Sequence, residues 1–529
     1  MDSSTKQRAV VLVDGVHKSD NSINGIRALA ERHGFVPVRL VWIGGTEKMK
    51  DPETFSADFR EVFGTEMIFE GDLESGKADP VEGLHKALEK RDVDLVVQLS
   101  GSPQVNRRLM NRFAQVAVGY GTRYIAGGTV FAEDTSPARV FKPSVGLYAT
   151  DKRVGKTAFG VYVAALMSGL RGIATPWSSI TITHSRGGPP KPPVLSIFNN
   201  PDDNKPASEM ELDELYGRRF CPEVLERLLD FGLHGASDVY EDALILSEYL
   251  TAYEQENPGA ETPAMHVIGC RRAGAGYFHE FAVSNVEQGL EAAETAGGDF
   301  ILHEGSGGEH PPVAVDGTIT LVPADSDEEL LEDFPGMDTT DLIILAHCQD
   351  ETAGSEKIAS VERVLAARAR NAKILRTLFE PEVIGSSGEV HAALRGRQAA
   401  LFTTAPQIVE KRLSAALERD YAVEVVKTSF TLARHHAMVA EIDELMKSSS
   451  PPEVFLMEIK ARGVEGAGYI RKNYGVPVLY VNNVPHQVDN SGAVLADNSG
   501  LDAEIINALN RSVERYNKRE GANTPICEL

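Results

Sequence analysis

Cysteine is scarce in this chain. Its 529 residues hold four, Cys221, Cys270, Cys348 and Cys527, and none forms a Cys-x-x-Cys pair. That excludes a zinc ribbon or a disulfide scaffold and fits a reducing compartment. Basic charge is also short: 53 Lys and Arg stand against 77 Asp and Glu, a net −24. Such a balance argues against non-specific binding to nucleic acid or anionic membranes, while leaving room for a local basic pocket. Long apolar runs are missing. The best, Ala158 to Leu170, is interrupted by Gly160, Ser168 and Gly169 and is too short to span a bilayer. The opening residues, Met1-Asp2-Ser3-Ser4-Thr5-Lys6, lack the pattern of a signal peptide. The expectation is a cytoplasmic protein with neither a nucleic-acid nor a membrane partner.

What is present is ordinary globular material: 42% hydrophobic and 25% charged residues, enough for packed cores. The length suggests roughly two to four domains. Strand-like runs at Arg8–Asp14, Phe35–Ile43, Asp94–Ser100 and Tyr124–Ala126 alternate with helical patterns at 22–33 and 105–118. This reads as an N-terminal parallel-sheet α/β domain over residues 1–140, a candidate substrate-binding or lid unit. A larger P-loop NTPase-like α/β core with a C-terminal α/β extension is expected over 141–529. Its strands fall at Ser144–Thr150, Ile180–Thr183, Met265–Gly269, Phe300–His303, Ile319–Val322, Leu342–Ala346, Ala399–Phe402, Val423–Lys427, Val454–Glu458 and Val478–Val481. Gly187 to Pro206, rich in Pro, Asn and Asp, reads as a long loop.

The segment Ala149-Thr-Asp-Lys-Arg-Val-Gly-Lys-Thr157 lies between a strand and an apolar helix. That is the setting of a phosphate loop: backbone N–H groups at the helix start face phosphate oxygens, and the helix dipole favours negative charge. Thr150, Asp151, Lys152, Arg153, Val154, Gly155, Lys156, Thr157 and Ala158 are the candidate nucleotide-binding residues. Lys156 would reach the β- and γ-phosphates, and the Thr157 hydroxyl would hold Mg²⁺. Thr150 stands where the usual pattern has its first glycine. Glu304, ending the strand Phe300–His303 before a glycine run, is the second candidate metal ligand. Asp151 is a further candidate for metal or substrate.

Two loops combine glycine with arginine: Arg186, Gly187 and Gly188 in one, Arg271, Arg272 and Gly274 in the other. Forked guanidinium donors match phosphate or carboxylate oxygens, so these residues form a candidate anion pocket. Arg186, Arg271 and Arg272 join Lys156 as candidate catalytic groups. His17, after Asp14-Gly15 at a strand end, is a further candidate for a phosphate pocket. His303 and Cys270 read as packed residues.

In this order and spacing the motifs resemble cyclic 2,3-diphosphoglycerate synthetase, and the loop at Ala149–Thr157 is similar to that of dethiobiotin synthetase. Val13-Asp14-Gly15-x-His17 and Glu458-Ile-Lys460-Ala461 add to the likeness; Ala149, Ala273 and Ala275 depart from it. The resemblance implies a P-loop enzyme that uses ATP and Mg²⁺, with K⁺ a further candidate cation, to close 2,3-diphosphoglycerate into its cyclic form. A homodimer is expected. The alternatives are an ATP-dependent ligase related to dethiobiotin synthetase or cobyrinic-acid diamide synthase, and a nucleotide-switch ATPase.

Overall fold

The structure is a computed structural model. It describes the chain except residues 1–5, 47, 50, 74–76, 102–103, 135–139, 152–153, 174–176, 186–189, 199–205, 217–219, 222–223, 226, 229–236, 261–263, 275, 278–280, 306–312, 333, 350, 386, 461 and 528–529.

The N-terminal sheet has six strands in the spatial order Met67–Ile68, Phe35–Trp42, Gln7–Val13, Leu95–Gln98, Arg123–Ala126, Thr129–Phe131. All neighbours run parallel except the last pair. Helices cover both faces, so the central strand Gln7–Val13 is buried from Ala9 onward, as its continuous apolar run requires. The strand order reverses between Gln7–Val13 and Leu95–Gln98. The loops leaving those two strands flank the crevice where open α/β sheets take ligands.

The second sheet has thirteen strands, and twelve form one path: Val194–Ile197, Met265–Gly274, Ser179–Ser185, Phe300–Glu304, Ser144–Ala149, Gly317–Pro323, Leu342–Ala346, Lys373–Val383, Val478–Gln487, Val454–Glu458, Gln398–Phe402, Glu424–Ser429. Phe281–Ser284 pairs off this path with Met265–Gly274. Two findings correct the sequence reading. The stretch expected to be a loop from Gly187 to Pro206 contains the edge strand Val194–Ile197, antiparallel to Met265–Gly274. Its four residues are hidden in sequence by flanking prolines. The other is Lys373–Val383, a long strand that periodicity missed, whose interior charges Arg376, Glu380 and Glu382 interrupt the apolar pattern.

That strand joins two halves of the sheet. Leu342–Leu345 run parallel to Lys373–Arg376, whereas Thr377–Val383 run antiparallel to Gln487–Val481. Strands beyond the junction therefore point back toward the first half. The carboxyl edges of the two halves face each other across the six residue steps from Thr377 to Val383, a gap on the order of 20 Å at strand rise.

The N-terminal unit docks on the larger one through Asp338, which is 2% exposed in its side chain. Arg112 donates to it at 2.8 Å and Arg368 at 2.9 Å. Burial alone would raise its pKa, but hydrogen bonds from His85, Arg112 and Arg368 outweigh that and hold it well below the ordinary range. No helix among the described residues is long and apolar enough to cross a membrane.

Candidate active site

The strand Ser144–Ala149 is buried along its length and delivers the chain to Thr150 at the carboxyl edge. Thr150 N donates to Leu321 O at 3.0 Å. The chain then turns through Gly155, whose φ of +87° caps the helix Lys156–Met167. A side chain there would be strained, and its Cβ would lie 2.4 Å from Phe379 Cζ. Gly155 is thus required twice over. The helix it starts is apolar on nearly every side because it packs against the sheet, the helix Ser237–Glu256 and the helix Ser499–Glu520.

Lys156, first in that helix, is 9% exposed, and its Nζ donates to Glu304 Oε1 at 2.5 Å. Glu304 is 1% exposed and ends the strand beside Ser144–Ala149. Its other oxygen, Oε2, is buried without a hydrogen-bond partner among the described residues. A Cβ on Gly160 would come within 3.0 Å of it, so glycine on the next helical turn leaves the carboxylate room. Two more buried hydroxyls in this region, Thr150 Oγ1 and Thr183 Oγ1, also lack partners among the described residues; Thr183 lies in register with Glu304. Unmatched buried polar atoms are costly. Here they gather around one helix N-terminus, where a polyanion and its cation would satisfy them. Thr157 is 8% exposed and follows Lys156.

A cleft of about 580 Å³ opens from this helix start. Asp151, Val154, Gly155, Thr157 and Ala158 line one end. The opposite wall comes from the second half of the sheet: Thr404 to Pro406, Ile408, Val409, Arg412, Leu413, Glu458 to Lys460, and Asn482 with Asn483. Sequence reasoning missed this wall apart from Glu458 and Lys460. The usable signal was that the missed loops follow expected strands at their carboxyl ends, where α/β ligands bind. Glu458 is 6% exposed and well satisfied. It accepts from Thr403 Oγ1 at 2.7 Å, Thr404 N at 2.5 Å and Asn483 Nδ2 at 2.9 Å.

Arg271 lies in register with Ser185, two strands across from the Glu304 strand, roughly 10 Å at ordinary strand spacing. Its Nε is buried without a hydrogen-bond partner among the described residues. Arg272 and Gly274 belong to the same strand, and their side-chain positions are outside the described residues, as are Lys152, Arg153, Arg186, Gly187 and Gly188 entirely. His303 is buried and shares a 3.1 Å hydrogen bond with His184 on the sheet face opposite Glu304; burial pushes its pKa down to about 3. Cys270 is buried too, its thiol pushed up to about 12 by desolvation.

His17 lies apart from this cleft, at the N-terminal crevice. Asp14, 1% exposed, accepts from Val16 N and His17 N at 2.9 Å, from His17 Nδ1 at 2.9 Å, and from Ser100 Oγ. Asp14 thereby fixes the His17 ring, whose side chain is 56% exposed. Burial raises the Asp14 pKa, but the hydrogen bonds from Ser100 and His17 more than offset this and leave it lowered.

Strand, glycine turn, Lys-Thr pair and helix start, with an acid ending the adjacent strand, define a P-loop protein of the α/β class. Comparison with known sequences narrows this. The chain matches three profiles described as cyclic 2,3-diphosphoglycerate synthetase: its N-terminal domain over residues 8–132, its P-loop domain over 144–378 and its C-terminal domain over 391–484. Proteins named cyclic 2,3-diphosphoglycerate synthetase are similar over nearly full length. That of Methanothermus fervidus is 27% identical, covering 96% of this chain and 98% of its own. That of Methanothermobacter thermautotrophicus is 28% identical, covering 97% and 98%. That of Rubrobacter xylanophilus is 29% identical, covering 92% and 96%. The chain belongs to the cyclic 2,3-diphosphoglycerate synthetase family.

Proposed function

We propose that this protein is an ATP-dependent synthetase that converts 2,3-diphosphoglycerate to cyclic 2,3-diphosphoglycerate, releasing ADP and phosphate. The observation that supports this most is the buried Lys156–Glu304 pair at the phosphate-loop helix, with Glu304 Oε2 lacking a partner among the described residues. A resting P-loop lysine needs a counter-charge; when a triphosphate arrives, Lys156 exchanges the carboxylate for phosphate oxygens. Glu304 would then be free to hold a cation.

Mg²⁺ suits this donor set: one carboxylate and one hydroxyl leave the remaining positions to phosphate oxygens and water. Glu304 and Thr157 would hold it, and it would supply positive charge against the negative charge of the phosphates. The helix N–H groups from Val154 to Ala158 cradle the phosphates. An oxygen of one substrate phosphate bonds to the γ-phosphorus as the bond to ADP breaks. An oxygen of the second substrate phosphate then bonds to the phosphorus of the first, and inorganic phosphate leaves as the ring closes. Each step sets anions against anions, so positioning and charge compensation dominate. Lys156, Arg271, Arg272 and Arg186 supply that compensation, with Gly187, Gly188 and Gly274 leaving room for the substrate. No protein nucleophile is required.

The N-terminal unit, 1–140, brings His17 as a phosphate contact, oriented by Asp14. K⁺ is a candidate second cation, and a homodimer is the expected assembly, to be read by light scattering. The test of function is ³¹P NMR of the protein with MgATP and 2,3-diphosphoglycerate. The expected result is ADP together with a new pyrophosphate-type resonance from the substrate. ADP release indifferent to diphosphoglycerate would indicate a nucleotide switch, and turnover only with a carboxylate or amine acceptor would indicate a ligase.

A further inference from the structure

The phosphate loop occupies one end of the cleft; what fills the other end is a separate question. The far wall is built by residues after Gln398–Phe402, which lie outside the phosphate-loop half of the sheet. Its surface is apolar at Pro406, Ile408, Val409 and Leu413. Ile408 is 60% exposed, an apolar side chain left in solvent on the cleft wall. Phosphates have no use for such a surface, whereas a flat heterocycle does.

The same cleft contains a polar group with unused capacity. Gln349 follows the strand Leu342–Ala346, and the chain reaches it through His347, which adopts a left-handed φ of +62°. Gln349 is 5% exposed. Its Nε2 donates to Thr352 Oγ1 at 2.7 Å, which fixes the amide orientation, while its Oε1 is buried with no partner among the described residues. The site therefore offers an acceptor. An adenine 6-amino group donates to it; a guanine 6-oxo group presents a second acceptor and leaves both unpaired.

We propose that the C-terminal half of the sheet forms the nucleoside end of the nucleotide site, with the purine lying on Pro406, Ile408 and Leu413 and Gln349 selecting adenine over guanine. This rests on the reading of the Lys156 loop as the triphosphate cradle. Nucleotide recognition is then shared between two units of the chain, and the C-terminal unit has a role in specificity as well as in structure.

The test is titration calorimetry with Mg²⁺ and ATP, GTP or inorganic triphosphate, on wild type, Ile408→Glu, Gln349→Leu and Lys156→Ala. Ile408 is mostly exposed, so its substitution leaves the fold intact. Ile408→Glu is expected to weaken ATP about tenfold or more and to leave inorganic triphosphate within about twofold. Gln349→Leu is expected to cut the preference for ATP over GTP by roughly tenfold, the worth of one buried hydrogen bond. Unchanged ATP affinity in Ile408→Glu together with unchanged preference in Gln349→Leu would overturn the proposal while leaving the phosphate-loop reading intact. ATP and triphosphate binding unaffected by Lys156→Ala would instead overturn that reading, and the proposal with it.

Discussion

Two buried glutamates end strands at the facing carboxyl edges of the two halves of the sheet, and they are held in opposite ways. Glu458, on the C-terminal wall, is surrounded by donors: two threonine hydroxyls, a backbone N–H and an asparagine amide. Glu304, beside the phosphate loop, has one close partner among the described residues, Lys156, and one buried oxygen left over. A saturated carboxylate is a brace, because every change of partner costs it a hydrogen bond. A carboxylate with one mobile cation and one idle oxygen can trade that cation for another. The difference teaches that burial alone does not mark a catalytic acid; unused hydrogen-bonding capacity beside a ligand cradle does.

The sharpest way to break the contrast is to remove each group. Lys156→Ala is expected to lower the rate of ring closure by a factor on the order of 10²–10³, the loss seen when one well-placed charge donor is deleted from other enzymes. It also strands Glu304 in the interior, and removing one partner of a buried ion pair costs about 3–5 kcal/mol. The apo protein should therefore melt lower than wild type, with added MgADP narrowing the gap less than it would in an intact site. Glu304→Gln should lose turnover by a similar factor while retaining a hydrogen-bond acceptor for Lys156, read by ³¹P NMR beside thermal melts.

Glu458→Ala should show the reverse emphasis. It leaves the buried Thr403 hydroxyl without its acceptor, at about 1–3 kcal/mol, and the half-buried Thr404 N–H and Asn483 amide at less. A clear loss in melting temperature is expected, with a smaller effect on turnover of the remaining folded protein. If Glu304→Gln and Glu458→Gln instead shifted rate and stability alike, the distinction between brace and exchangeable ligand would fail.

Asp14 is the smaller, pH-sensitive member of the comparison. Its folded pKa lies below its unfolded value. Its contribution to stability is therefore fully present above the unfolded value of about 3.9 and is lost as pH falls through the folded one. Asp14→Asn should cost about 1–3 kcal/mol at neutral pH. The difference from wild type should shrink as denaturation is followed below about pH 4. A pH-independent difference would show that the hydrogen bonds to Asp14, rather than its charge, account for the effect.

The phosphate-loop half was legible in sequence because its signals are local. A strand, a Gly-Lys-Thr turn and an apolar helix lie within one short stretch. The alternating N-terminal elements were legible by the same logic. The opposite wall was not. Its location depends on Thr377–Val383 pairing antiparallel with Val481–Gln487, and nothing in either segment's own pattern announces a partner about a hundred residues away. Once that pairing turns the later strands around, Glu458 and Asn483 come to face the phosphate loop across the cleft. The buried Gln349 oxygen was invisible for a further reason: its importance lies in having no hydrogen-bond partner among the described residues.

The central claim is that Lys156 and Glu304 are resting partners that separate when a nucleotide binds. A crystal structure with Mg²⁺ and a non-hydrolysable ATP analogue tests it most directly. The account predicts the triphosphate against the N–H groups of Val154 to Ala158, Lys156 Nζ on phosphate oxygens, and Glu304 turned to the metal or its water. A structure in which the analogue is bound while the 2.5 Å contact between Lys156 and Glu304 persists would contradict it.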